Sequence, residues 1–298
     1  MKRRYVTVDV FTDTKFGGNP LAVVLDAEGL DGTAMQAIAR EFNYSETTFV
    51  LPPTAPGNTA RIRIFTPNEE LPFAGHPNVG TAFALARIGT AFGHALKSRL
   101  IFEEAAGLVP VQILHDASEI AGAELTAPQG LTIGSGVAPG VIAACLGIAE
   151  SDVVIQNHAP VVASVGTGFI IAEIRSRETL AAMRPDAAAF ATHLPVDGTS
   201  KLLAYAATGD ATVQARMFFA VPDVREDPAT GSANCALAAL LAQLAPQEDG
   251  MFRLTIAQGV EMGRPSVLLT AVDKRAGSIT AVRVGGRCVP VMEGLIEA

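Results

Sequence analysis

The 298-residue chain contains no apolar run long enough to cross a bilayer. Its formal net charge is −8 and its Lys and Arg residues do not cluster, so the footprint of a nucleic-acid-binding protein is missing. Cysteine is scarce: Cys145, Cys235 and Cys288, an odd number set far apart, read as buried thiols of a reducing compartment and not as a disulfide framework. No Cys or His pair has zinc-ligand spacing. Gly166-Thr167-Gly168 and Gly285-Gly286 lack the G-x-G-x-x-G spacing between a strand and a helix, which removes the dinucleotide fingerprint. No segment is of low complexity. The basic start, Met1 to Tyr5, leads into Val6, Val8 and Val10 alternating with Thr7 and Asp9, a strand pattern unlike a signal peptide's apolar core. These absences point to a soluble, cytoplasmic protein with no nucleic-acid or membrane partner.

The chemistry that is present concentrates in Arg225-Glu226-Asp227-Pro228-Ala229-Thr230-Gly231-Ser232-Ala233. Leu237, Leu240, Leu241 and Leu244 follow at i, i+3, i+4 and i+7, which predicts a helix with one buried face. Gly231 and Ser232 fall at its N-terminus, where unpaired N–H groups and the helix dipole favour an anion. A similar string, Phe73-Ala74-Gly75-His76-Pro77-Asn78-Val79-Gly80-Thr81-Ala82, occurs about half a chain length earlier. Both contain Pro-x-x-Gly-[Thr/Ser]-Ala, which aligns Pro77 with Pro228. Arg99-Leu100-Ile101-Phe102 similarly parallels Arg253-Leu254-Thr255-Ile256. The length suits one large or two ordinary domains, and 49% hydrophobic content supports a substantial core. The repeat therefore predicts two similar halves, residues 1–118 and 119–298, with the last strand able to return to the first. Their paired helix N-termini would face a shared cleft.

Along the chain, residues 5–25 read as a hairpin, with Gly17-Gly18-Asn19-Pro20 as its turn cluster. Asp31 caps a helix that ends at Asn43, and strands follow near Phe49 and over Arg61 to Phe65. The helix after His76 ends near Gly89, and strands near 99–103 and 108–114 close the first half. Residues 115–136, rich in Ala, Gly and polar groups, read as a link. The second half repeats the order: a hairpin over 161–174, an Ala-rich helical stretch broken at Pro185, and strands over 202–206 and 213–219. The tail around Gly285-Gly286 reads as two short strands and a turn.

Five ordered motifs carry a family resemblance: Gly18-Asn19-Pro20, Ser45-Glu46-Thr47-Thr48-Phe49, Ala74-Gly75-His76-Pro77, Glu226 to Ala233, and Gly259 with Gly263-Arg264-Pro265. The chain resembles, nearly end to end, the PhzF-like phenazine-biosynthesis proteins of the diaminopimelate-epimerase fold. The resemblance implies an α/β (α+β) architecture of two pseudo-symmetric domains, each a curled sheet around a central helix. It also implies a homodimer, no cofactor, and a site between the domains. The family's named enzyme isomerises dihydro-3-hydroxyanthranilate by moving a proton between ring carbons. Its catalytic glutamate falls on Glu46, and its assisting histidine, aspartate and serine fall on His76, Asp227 and Ser232. Epimerases of this fold use two opposed cysteines, and here the corresponding positions, Ala74 or Gly75 and Asp227, carry no thiol.

A proton shift needs one group that both takes and returns a proton, and a carboxylate in an apolar pocket suits that role. Glu46 lies between Tyr44 and Phe49, a setting compatible with partial burial. The bland alternatives are a solvated Glu46, a His76 satisfied by a backbone carbonyl, an Asp227 that only forms a turn, and a Ser232 that only caps a helix. Asp13, Glu69, Glu70 and Glu103 read as solvated or turn residues. The catalytic candidates are thus Glu46, His76 and Asp227, with Gly75, Gly231, Ser232 and Asn19 binding a small carboxylate substrate. Rival readings are an amino-acid racemase or epimerase with non-thiol bases, and a non-catalytic metabolite-binding protein of the same fold.

Overall fold

A computed structural model describes residues 1–220 and 223–298. It is a mixed α/β fold, rich in strands, and the chain divides into two compact units. The first comprises Met1–Thr126 with Gly285–Ala298, and the second comprises Ala127–Val284.

The first unit opens with β1 (Lys2–Val10) and β2 (Asn19–Val24), an antiparallel hairpin that pairs Val8 with Leu21. Helix α1 (Gly32–Phe42) starts where the Asp31 carboxylate accepts from Ala34 N–H, and stops at the left-handed Asn43. It buries Met35, Ile38 and Ala39 in a cluster with Phe49 and Phe65, whose rings meet edge to face with centroids 5.4 Å apart. Strand β3 (Glu46–Leu51) runs parallel to β2 and antiparallel to β4 (Ala60–Phe65), and β5 (Glu70–Leu71) pairs on β4. Helix α2 (Gly75–Ile88) follows, then the short β6 (Thr90–Ala91) and β7 (His94–Ala95). Strands β8 (Arg99–Glu104), β9 (Gly107–Asp116) and β10 (Glu119–Thr126) complete a meander. Every residue of α2 from Gly75 to Leu85 is buried, and the helix packs on β1, β2, β3, β9 and β10. Strands of the first unit thus cover α2 on several sides.

The second unit contains β11 (Thr132–Gly136), α3 (Pro139–Leu146), β12 (Val153–Val154), β13 (Val161–Ser164) and β14 (Gly168–Ile174). Helices α4 (Arg177–Ala182) and α5 (Ala187–His193) flank Pro185. Strands β15 (Leu202–Gly209), β16 (Thr212–Ala220) and β17 (Val224–Asp227) lead to α6 (Gly231–Leu244). Then come β18 (Gly250–Gln258), β19 (Ser266–Arg275) and the long β20 (Ser278–Glu297), whose residues from Gly285 on belong to the first unit. Helix α6 is buried on nearly all sides, from Gly231 to Leu240 except at Ser232, and packs on β13, β14, β18 and β19. The leucine spacing predicts one buried face, but Leu244 is half exposed while the alanines between the leucines are covered. Small side chains let sheet close on every face of the helix, and an apolar-period count does not register them.

Two stretches differ from the sequence reading, and for β10 and β20 the reason is shared. Residues 119–126 and 132–136 are strands and not a link, and 278–297 is one continuous strand and not two around a turn. A Cβ on Gly122 would sit 1.9 Å from the Gly286 carbonyl oxygen, and one on Gly285 would sit 2.8 Å from that of Ala123. These glycines permit close backbone approach between β10 and β20, and do not mark turns. All three cysteines are buried free thiols, and burial pushes Cys145 up to about 11 and Cys288 up to about 12. Among the described residues, no helix is long and apolar enough to cross a membrane.

Candidate active site

In the first unit the β2–β3 pairing places Glu46 beside Leu21, two residues after Asn19. Asn19 is fully buried at the start of β2. His76, second residue of α2, is 5% exposed. Its Nε2 lies 3.4 Å from Glu46 Oε2, and the Glu46 side chain is 17% exposed. Burial pulls the His76 ring down to about 3, against a hydrogen bond with the Pro20 carbonyl, so the imidazole is neutral. Nε2 makes no hydrogen bond of good geometry. The nitrogen that donates to Pro20 is therefore Nδ1, which leaves a lone pair on Nε2 facing Glu46. A neutral imidazole and a carboxyl in this arrangement can share one proton.

In the second unit Asp227 ends β17, opposite Met217 of β16. Its carboxylate accepts from the Thr230 hydroxyl. Its carbonyl accepts from Gln258 Nε2 at 2.8 Å, and Gln258 Oε1 accepts from Asn234 Nδ2 at 2.7 Å and from Thr230 N–H at 3.3 Å. Gly231 and Ser232 open α6, whose cap residue Thr230 provides no side-chain acceptor to the first turn; Ala74 likewise provides none to α2. Neither cap residue's own side chain therefore accepts from the first-turn N–H groups that begin at Gly75 and Gly231.

The helix bounds correct the register of the repeat. Gly75 and Gly231 each open a 14-residue helix. Asn78 donates to the Ala74 carbonyl at 2.9 Å and Asn234 to the Thr230 carbonyl at 2.9 Å. Glu70-Leu71-Pro72-Phe73-Ala74-Gly75-His76-Pro77-Asn78 therefore matches Glu226-Asp227-Pro228-Ala229-Thr230-Gly231-Ser232-Ala233-Asn234, with Pro72 and not Pro77 aligned to Pro228. The counterpart of His76 is Ser232, and that of Asp227 is Leu71. The two cap positions are Ala74 and Thr230, neither a thiol. Gly80, which suggested the other alignment, lies inside α2, where a Cβ would meet Leu21 at 2.6 Å and Val10 at 2.7 Å.

Around this shared string the scaffold repeats. Phe65 pairs with Glu70 and Phe218 with Glu226 across their hairpins. Arg63 clips Glu70 with two bonds of 2.7 Å, and Arg216 clips Glu226 with bonds of 2.9 and 2.7 Å. Each arginine also lies over an aromatic ring, Arg63 over Phe65 and Arg216 over Phe218. Glu70 is therefore ion-paired and not merely solvated. Glu103, read as a solvated or turn residue, is 9% exposed. It accepts from Thr54 N–H, Thr54 Oγ1, Ala55 N–H and Asn58 Nδ2. Burial pushes its carboxyl up, but these hydrogen bonds outweigh that and hold it at about 2. Sequence reasoning missed Thr230, Gln258 and the Pro20 carbonyl, whose contacts depend on chain segments far apart in sequence. The motif at Gly259 is a turn in which Arg264 N–H donates to the Gly259 carbonyl, while Ser266 Oγ donates to that of Pro228. Among the described residues no group of three His, Cys, Asp or Glu side chains could hold a metal ion.

Residues 8–294 match the family model described as phenazine biosynthesis-like protein. The chain is 38% identical to an uncharacterised isomerase of Mesorhizobium japonicum, over 98% of each chain. It is 36% identical to trans-2,3-dihydro-3-hydroxyanthranilate isomerase of Pseudomonas chlororaphis, again over 98% of each. Its fold is similar to that of a crystal structure of a Bacillus anthracis phenazine biosynthesis protein of the PhzF family, with TM-score 0.87, 24% identity and full coverage of both chains.

Proposed function

The chain belongs to the phenazine biosynthesis-like (PhzC-PhzF) family of isomerases, and from that premise we propose that it moves a proton within a small carboxylate metabolite, without a cofactor, using Glu46 as both acid and base. The substrate class is cyclic, after the dihydro-3-hydroxyanthranilate in its relative's name. The observation that carries the reading is the Glu46–His76 pair: a carboxyl and a neutral imidazole 3.4 Å apart, both largely shielded from water. Glu46 takes the proton from one carbon, breaking a C–H bond, and the electron pair moves into the substrate's unsaturated system. The same carboxyl returns the proton to a second carbon. His76 Nε2 accepts a hydrogen bond from protonated Glu46 or from a substrate hydroxyl while Nδ1–H stays on Pro20.

Asp227, steadied by Thr230 and Gln258, takes the substrate's hydroxyl or amine. Ser232 and the first-turn N–H groups at Gly231 and Gly75 take its carboxylate and the charge that develops on it. Asn19 completes the binding set. A homodimer is part of the proposal, and light scattering on the eluting protein checks it. The reading is tested by offering trans-2,3-dihydro-3-hydroxyanthranilate to the wild type and to Glu46→Gln. Turnover by the wild type and a loss of about 10³-fold in a folded Glu46→Gln supports it. Equal turnover by both contradicts the role of Glu46.

A further inference from the structure

The mechanism does not use Glu104, both of whose carboxyl oxygens are buried. Glu104 is the last residue of β8, as Gln258 is the last residue of β18. The ladders place these two residues equivalently. Arg61 of β4 faces Glu103 of β8, and Gln214 of β16 faces Ala257 of β18; each lies two residues before the arginine that clips the helix-start glutamate. The next residues, Glu104 and Gln258, therefore correspond. In the second unit Gln258 ties Asp227, Thr230 and Asn234 together at the start of α6. In the first unit Asn78, the counterpart of Asn234, is the α2 side chain that acts on Glu104.

Both Glu104 oxygens and Asn78 Oδ1 are buried, and none makes a hydrogen bond of good geometry. A carboxylate with neither oxygen hydrogen-bonded is costly to bury, whereas a carboxylic acid is uncharged there and, like the Gln258 amide, can both donate and accept. We propose that Glu104 is a positioning residue held as a neutral carboxylic acid, which fixes the start of α2, and with it Gly75 and His76, as Gln258 fixes the start of α6. Burial supports this by pushing the Glu104 carboxyl up to about 8, opposed only by Asn78; no charged side chain enters among the described residues. The inference rests on the proposed function for its effect on turnover, but not for the protonation state.

The test uses the full chain and two kinds of readout. In carbon NMR of protein labelled at the glutamate carboxyls, one resonance should titrate near pH 8 and be missing from the Glu104→Gln spectrum. In urea unfolding, stability owed to this group should be full below its ordinary 4.5 and lost as pH rises through about 8, a decline that Glu104→Gln removes. With trans-2,3-dihydro-3-hydroxyanthranilate, Glu104→Gln should keep kcat to within about twofold and lack the alkaline fall of the wild type, whereas Glu104→Leu should lose roughly tenfold in kcat with KM little changed. A Glu104 carboxyl already ionised at neutral pH, or a Glu104→Gln variant with the alkaline decline intact, overturns the proposal. If no turnover of that compound occurs at all, the functional reading fails, while the NMR and unfolding results still decide the state of Glu104.

Discussion

The starts of α2 and α6 share a frame of Arg–Glu clip, proline, opening glycine and an asparagine bonded one turn back, but they present different side chains on it. Where α2 presents His76, α6 presents Ser232, and where β17 ends in Asp227, β5 ends in Leu71. Thr47 faces Phe65 and Leu202 faces Phe218, so the counterpart of Glu46 is Lys201. What repeats builds the helix start, and what differs is the set of side chains to which we assign the chemistry. The first unit holds the Glu46–His76 pair to which we assign proton transfer, and the second holds an acid, a hydroxyl and a helix N-terminus to which we assign the grip on a polar group.

The largest expected effect breaks this symmetry directly. Glu46→Gln should lower kcat about 10³-fold, as removal of a general acid–base group does, while Lys201→Met should change it by no more than about twofold. Comparable losses at both positions would mean that the division of labour is wrong.

The clips allow a comparison at constant chemistry. Arg216 and Glu226 have side chains 8% and 14% exposed, whereas Arg63 and Glu70 are 29% and 39% exposed. Arg216→Met leaves a nearly buried carboxylate unpaired and should cost about 3 kcal/mol in urea unfolding. Arg63→Met leaves Glu70 able to reach water and should cost no more than about 1 kcal/mol. Equal costs would show that burial does not set the value of the clip.

A smaller effect is confined to the first unit, because Ala257 stands where β8 has Glu103. Glu103 is held at about 2 against an ordinary 4.5, so its contribution to stability is present above 4.5 and lost as pH falls toward 2. Glu103→Gln should cost about 1–2 kcal/mol near neutral pH and flatten that acid limb. Unfolding midpoints measured at several acid pH values check both.

The elements with strong local signals were legible in the sequence. The Asp31 cap and Asn43 stop delimit α1, and Pro185 separates α4 from α5. Glu46, His76, Asp227 and Ser232 were singled out from motif order; that His76 Nε2 stands 3.4 Å from Glu46 Oε2 had no signal in the sequence. The strands over 119–126 and 278–297 were not legible. Glycine reads as a turn former, and the reason for these glycines is a second strand's backbone 160 or so positions away in the chain, at Gly286 for Gly122. The repeat was visible but its register was not. Gly80 is explained by Leu21 and Val10 packed against α2, and the match of Asn78 to Asn234 appears only as a pair of hydrogen bonds. Glu104 and Gln258 gave no local signal, since their partners lie on other elements.

The central claim is that one carboxyl carries a proton from one substrate carbon to another. It is tested most directly with trans-2,3-dihydro-3-hydroxyanthranilate deuterated at the carbon that loses its hydrogen, turned over in ordinary water, with the product weighed by mass spectrometry. A single shielded Glu46 predicts that a measurable part of the deuterium reappears at the new carbon. Product that carries no deuterium at any stage of turnover, with every new hydrogen drawn from solvent, would contradict it.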